Sequence, residues 1–184
     1  MKKENLFVGK VAWITGASSG IGEALVHEFS KRGATVIASS NDLPGLEKVK
    51  SDCGDRSVMV HCVTFDLADT SGIDKIVELQ VNTFGKIDYL LNIGGISQRA
   101  RIDETPLWLD RKIFEINYFG TIAFPKLYCH IWSGGNQDIY SQQAVYQEDL
   151  DFLSGLLTLR PNRLYMGLLK HSTLKIKYII SELL

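Results

Sequence analysis

Apolar and polar positions fall in alternating blocks along the first two thirds of the chain. Val8 to Ile14 is a mostly apolar run that predicts a buried strand. From Ile21 to Phe29 the apolar residues recur at helical spacing, with Ile21, Leu25 and Phe29 on one face. Lys31-Arg32-Gly33 ends that helix with basic residues at its negative pole and a glycine cap. Thr35 to Ser39 predicts a second strand, and Asn41, Asp42 and Pro44 a turn into a helix around Leu46 to Lys50. Val58 to Phe65 predicts a third strand. Asp66 and Asp69-Thr70-Ser71 then lead into a helix carried by Ile73, Ile76, Val77, Leu79 and Val81 and ending at Phe84-Gly85. A fourth strand is predicted over Ile87 to Ile93. Thr105-Pro106 starts a further helix, with a cap residue before a proline at the first position, and Trp108, Ile113, Phe114 and Ile116 lie along it. Short apolar strands alternating with helices predict a parallel α/β sheet.

Between the first strand and the first helix stands Thr15-Gly16-Ala17-Ser18-Ser19-Gly20-Ile21-Gly22. Glycines in a turn of this kind can simply be structural. A strand before them and a helix after them also suit phosphate binding. Gly16 can take backbone angles closed to other residues, Gly20 lets the backbone approach a diphosphate, and Gly22 lets the helix pack near the strand. Free N–H groups and the positive end of the helix dipole then face the anion.

With its Thr-Gly-x-x-x-Gly-x-Gly spacing, this turn resembles that of the short-chain dehydrogenase/reductases. The resemblance implies a Rossmann-type, doubly wound parallel sheet that binds NAD or NADP, with Thr15, Gly16, Ser18, Ser19, Gly20, Ile21 and Gly22 at the cofactor. Asp66, with Leu67 beside it, matches the family's Asp facing the adenine ring, although a solvated loop carboxylate is the other reading. Asn92-Ile93-Gly94-Gly95 resembles the family's NNAG stretch, which puts Asn92 and Gly94 by the cofactor ribose. Gly94-Gly95-Ile96-Ser97-Gln98-Arg99 is similar to the subgroup called dehydrogenase/reductase member seven. Asn117-Tyr118-Phe119-Gly120 matches the family's Asn-x-x-Gly, whose Asn distorts its helix and holds a water in the proton relay. NADP-using relatives often have an Arg pair where this chain has Asn41-Asp42, so the electrostatics lean towards NAD. Both residues could equally serve the Pro44 turn.

The resemblance runs from Val8 to about Phe124 and then fails. It divides the chain into a dinucleotide-binding part, 1–124, and a divergent segment of the same domain, 125–184, expected to be mostly helical. Pro125 falls where a helix should continue, at a cost of roughly 3 kcal/mol. The family's catalytic Ser and Tyr-x-x-x-Lys are missing: no tyrosine has a lysine four residues later, and Tyr165 and Lys170 are five apart. Lys170 matches the family's lysine only faintly, and a solvated basic residue is its plainer reading. In that register Met166 stands in the place of the tyrosine, and a thioether cannot donate a proton. Ser133, Ser141 and Ser154 are candidate stand-ins for the serine. The sheet is therefore expected to be incomplete at the C-terminus, through truncation or rearrangement. The resemblance implies an oxidoreductase acting on an alcohol or carbonyl, weak or inactive in this form. The alternatives are a non-catalytic dinucleotide-binding or interaction module, or a non-functional product.

Composition changes this picture little. A chain of 184 residues that is 45% hydrophobic can bury a real core. A net charge of −1 gives no reason to expect nucleic acid or an anionic membrane. The three cysteines, Cys53, Cys62 and Cys129, lack CxxC spacing and suit a reducing, cytoplasmic setting with inert thiols. No signal peptide or membrane-spanning run is visible. The four histidines show no metal-ligand spacing, so no metal is expected, and His27 is expected to face solvent. The expected partners are the dinucleotide, a small alcohol or carbonyl if the chemistry is intact, and further copies of the chain through the leucine-rich tail.

Overall fold

In the computed structural model, residues 6–101 and 103–124 are described in full, together with the backbone of 139–143, 158–160 and 163–165. The elements in chain order are β1 (Val11–Thr15), α1 (Gly20–Lys31), β2 (Thr35–Ser40), α2 (Leu43–Asp52), β3 (Val60–Thr64), α3 (Ile73–Phe84), β4 (Tyr89–Asn92) and α4 (Leu107–Phe114). A π-helical turn, Glu115–Gly120, continues α4, and β5 (Ile139–Gln143), β6 (Thr158–Arg160) and β7 (Arg163–Tyr165) follow. The sheet order is β3-β2-β1-β4-β5-β6-β7. β3, β2, β1, β4 and β5 are mutually parallel, whereas β6 and β7 join antiparallel. This is the Rossmann-type α/β architecture. The last three strands lie in the segment expected to be mostly helical.

All five residues of β1 are buried, because the strand feeds two cores. Ala12 and Ile14 point into one core with Leu25, Phe29, Leu46 and Val60. Val11 and Trp13 point into the other with Ile73, Val77, Leu90 and Phe124. A strand with helices packed on both sides has no polar face, which is why the sequence shows a run here rather than an alternation. Phe7 stacks on Phe29 with ring centroids 4.6 Å apart, and Tyr89 meets both rings edge-on.

Several boundaries differ from the sequence reading. β1 starts at Val11 rather than Val8, since Val8 is exposed and Lys10 N–H donates to Phe7 O in a turn. β3 starts at Val60 because Gly54–Met59 forms a 3₁₀ helix that leaves Val58 exposed. α2 begins three residues early, at Leu43, where the Asp42 carboxylate caps it. Thr105 does not cap α4: Pro106 precedes the first helical residue, and the Thr105 hydroxyl donates to Arg101 O at 2.8 Å. His27 is only half exposed, with its Nδ1 3.3 Å from Cys53 Sγ. Burial pushes the Cys53 and Cys62 thiols upward in pKa, as expected of inert cysteines.

Candidate functional site

The chain order of the parallel strands reverses between β1 and β4, and the carboxyl ends of the first four strands open there onto one cleft of about 330 Å³. Open α/β sheets bind ligands at such a switch point. The turn from β1 to α1 forms one wall, with Gly16, Ser18, Ser19, Gly20 and Ile21. Ser39, Ser40 and Asn41 line the cleft from the end of β2, and Phe65, Asp66 and Leu67 from the end of β3. Ile93 to Ile96 close it beyond β4, with Ile116 behind.

Two glycines of the turn are fixed for different reasons. Gly16 has φ +64°, and a Cβ there would sit 2.5 Å from Gly94 Cα and 2.6 Å from Gly94 N. Gly20 also has a positive φ, +58°, but a Cβ there would meet no atom within 4 Å. Gly16 is therefore needed for packing as well as conformation, whereas Gly20 borders open space where a phosphate can approach. A Cβ on Gly22 would collide with Gly16 O, so this glycine closes the turn on itself. The Ser19 side chain makes no capping bond, so it does not close the N-terminus of α1 to an anion.

The other walls meet at Leu67. A Cβ on Gly94 would lie 2.6 Å from Leu67 Cδ1, and one on Gly120 would collide with Leu67 O. The Asn-x-x-Gly glycine thus lets the π-helical turn pack on the loop after β3. Within that turn, Asn117 Oδ1 accepts from Ile96 N at 2.8 Å and its Nδ2 donates to Ile96 O at 2.7 Å. The expected helix distortion is present as the π turn, and Asn117 ties it to the loop after β4.

Not every residue picked from the sequence reaches the cleft. Thr15 is buried behind the turn, where its hydroxyl accepts from Ile93 N at 3.0 Å and Gly94 N at 3.1 Å. Asn92 is buried at the end of β4. Asp42 is exposed, and its Oδ1 accepts from Gly45 N at 3.1 Å as the α2 cap. Asp66 lines the cleft, and its Oδ1 also accepts from Ala68 N at 2.9 Å. Ser141 lies on β5 opposite Leu90. Tyr165 ends β7, paired with Thr158, within the segment expected to be mostly helical. Pro125, Ser133, Ser154, Met166 and Lys170 lie outside the described residues. Ser39, Ser40, Phe65 and Ile116 line the cleft without being picked out by any motif; the ends of β2 and β3 point to the first three, whereas Ile116 reads only as an apolar position of the helix after Pro106. No cluster of three metal-ligating side chains occurs among the described residues, and none of their helices is long and apolar enough to cross a membrane.

Away from the cleft, Asp88 anchors the opposite end of the sheet. Its carboxylate accepts from Val11 N at 2.8 Å and pairs with Lys10 at 3.0 Å and Lys86 at 3.2 Å. Burial pulls its pKa up, but these bonds outweigh burial and hold it below the ordinary carboxylate value.

The sequence profile of the short chain dehydrogenases matches residues 10–137. Dehydrogenase/reductase SDR family member 7 of Homo sapiens is 38% identical over 120 residues, which cover 63% of this chain and 35% of that protein. A family protein 7-like from Drosophila melanogaster is 38% identical over 129 residues, 68% of this chain and 40% of that one. The chain thus spans little more than a third of the length of these curated relatives. Among solved structures, a short-chain dehydrogenase/reductase from Brucella melitensis superposes with a TM-score of 0.67 at 25% identity, covering 77% of this chain and 59% of that chain. A Shigella flexneri short chain dehydrogenase complexed with NADP gives a TM-score of 0.69 at 19% identity, covering 76% and 61%.

Proposed function

Because the chain belongs to the short-chain dehydrogenase family, we propose that its cleft holds a nicotinamide dinucleotide and forms the cofactor half of an alcohol or carbonyl oxidoreductase site. One observation carries this reading. The left-handed turn at Gly16 and Gly20 brings the uncapped N-terminus of α1 to the switch point of the sheet. The cradle fits the group, since a side chain at Gly20 would occupy open space in the path of a diphosphate. The cofactor, when bound, supplies or takes up a hydride. Gly16, Ser18, Ser19, Gly20 and Ile21 would hold its diphosphate end, and Asn41, Asp66 and Leu67 its adenosine end. Gly94 would let the backbone pass close to a ribose, with Thr15, Gly22 and Asn92 supporting the walls from behind. Asn117 would hold the loop beyond β4 in place and, as in the family, a water for the proton relay.

The proton-transfer half is far weaker, because no tyrosine precedes a lysine by four residues. Positioned acid–base groups contribute roughly 10²–10⁴-fold to such reactions. Lys170 alone would not replace a tyrosine donor, and turnover should be lower by about that factor. The same absence favours the second reading, a dinucleotide-binding module without catalysis. Titration with NADH and NADPH tests both. Trp13 gives an internal fluorescence signal, because its indole N–H donates to Ser39 Oγ at 2.9 Å at the cleft wall. Saturable binding with very slow oxidation or reduction of simple alcohols and ketones is the expected result. No binding would refute the cofactor assignment, and ordinary reductase turnover would mean that another proton donor has taken over.

A further inference from the structure

The third residue of α2 is Gly45, and glycine is the weakest helix former after proline. Its φ is not positive, so backbone conformation does not call for glycine here. Close approach does. A Cβ on Gly45 would stand 2.9 Å from Ser18 Cβ and would collide with Asp42 Oδ2. The Asp42 carboxylate is the exposed end of a side chain and can turn away. Ser18 Cβ cannot, because it is fixed to the backbone of the turn after β1.

Both elements are anchored beside the contact. Ala17, next to Ser18, is fully buried, and its N–H donates to Ser39 O at 3.0 Å. Leu46, next to Gly45, is fully buried in the core, with Val49 one turn further on. Two bonds bridge the same gap through the end of β2: Ser18 Oγ lies 2.9 Å from Ser40 Oγ, and Asp42 N–H donates to Ser40 Oγ at 3.2 Å. Ser18 itself lines the cleft. A side chain at position 45 would therefore drive Ser18 towards the one open side, which is the cleft.

We propose that Gly45 is a positioning residue for the dinucleotide. By carrying no side chain it lets the first turn of α2 rest against Ser18, and so sets how far the phosphate-binding turn stands into the cleft. This rests on the dinucleotide reading. It concerns the diphosphate end, which NAD and NADP share, and brings α2 into the support of a turn otherwise held by β1, β4 and α1.

Titration with NADH and NADPH, with urea unfolding of the same samples, tests the assignment. Gly45→Ala should weaken both nucleotides by at least about fivefold, the lower end of what an overpacked contact costs when written as an equilibrium ratio. Its urea midpoint should stay close to that of the unmodified chain, because alanine is the better helix former and displacement of the turn relieves the contact. Ser18→Gly removes the Cβ that the new methyl meets, at the loss of one hydroxyl contact, roughly two- to twelvefold in affinity. In that background Gly45→Ala should change affinity by less than about twofold, whereas in a Ser18→Ala background, which keeps the Cβ, the fivefold loss should persist. Equal losses in the Ser18→Gly and Ser18→Ala backgrounds would overturn the proposal while leaving the cofactor assignment standing. So would unchanged affinity in Gly45→Ala, a loss confined to one nucleotide, or a Gly45→Ala chain that unfolds. If the unmodified chain binds neither nucleotide, that assignment falls and the proposal falls with it.

Discussion

Gly16 and Gly20 share a left-handed conformation but differ in surroundings, so replacing each with alanine should act mainly on stability at Gly16 and mainly on binding at Gly20. Either alanine incurs about 1–2 kcal/mol for holding a Cβ in the left-handed region. At Gly20 nothing more is added, since the new methyl meets no atom within 4 Å. At Gly16 the methyl would lie 2.5 Å from Gly94 Cα and 2.6 Å from Gly94 N, and both contacts are backbone that cannot rotate away. Overpacking of this kind costs about 1–3 kcal/mol, which brings Gly16→Ala to about 2–5 kcal/mol. That is a large part of the roughly 5–15 kcal/mol that holds a small domain folded. Gly16→Val, with a branched side chain, should abolish dinucleotide binding and come close to unfolding the chain. Gly20→Ala should stay folded and lose affinity, because its methyl stands where the diphosphate approaches. Urea unfolding followed by circular dichroism gives the stabilities, and NADH titration of the same samples gives the affinities. The reasoning fails if Gly16→Ala is as stable as Gly20→Ala, or if Gly20→Ala binds NADH as tightly as the unmodified chain.

Asn41→Arg should shift preference towards NADPH by placing a cation at the end of β2, measured as the ratio of NADH and NADPH dissociation constants; an unchanged ratio would remove Asn41 from the ribose end. Asn117→Ala should cost about 1–3 kcal/mol and weaken NADH binding, because Ile96 N–H and C=O lose their side-chain partner; equal stability and affinity would leave Asn117 without a positioning role. Asp88 titrates below its ordinary value when folded, so its stabilisation is fully present above the unfolded pKa of about 4 and is lost as pH falls through the folded value. Asp88→Ala should therefore lower the melting temperature at pH 7 and flatten its decline below about pH 4, and parallel pH–stability curves for the two proteins would contradict this.

Much of this protein is decided locally, and its sequence shows as much. Apolar runs bounded by turn residues marked the first four strands, and helical periodicity marked α1 and α3, because strand and helix impose different repeats on one chain. The Thr15–Gly22 turn was legible for the same reason: left-handed angles and an anion-facing helix start belong to a few consecutive residues. Its inner contacts were not. Gly16 against Gly94, and Leu67 between Gly94 and Gly120, join positions tens of residues apart, and no local pattern encodes which backbone will pass beside which. Asp42 read equally well as a ribose partner or a turn residue until the early start of α2 made it a cap. The motif groups Thr15 with the cofactor, yet its hydroxyl faces inward and ties the loop after β4 to β1. The pairing of Ser18 with Ser40 needed the order of the strands, because the parallel register of β1 and β2 sets the two hydroxyls side by side. Sequence pattern fixes what each segment can do alone, whereas a cleft assembled from the ends of four strands exists only once the crossovers have placed those ends together.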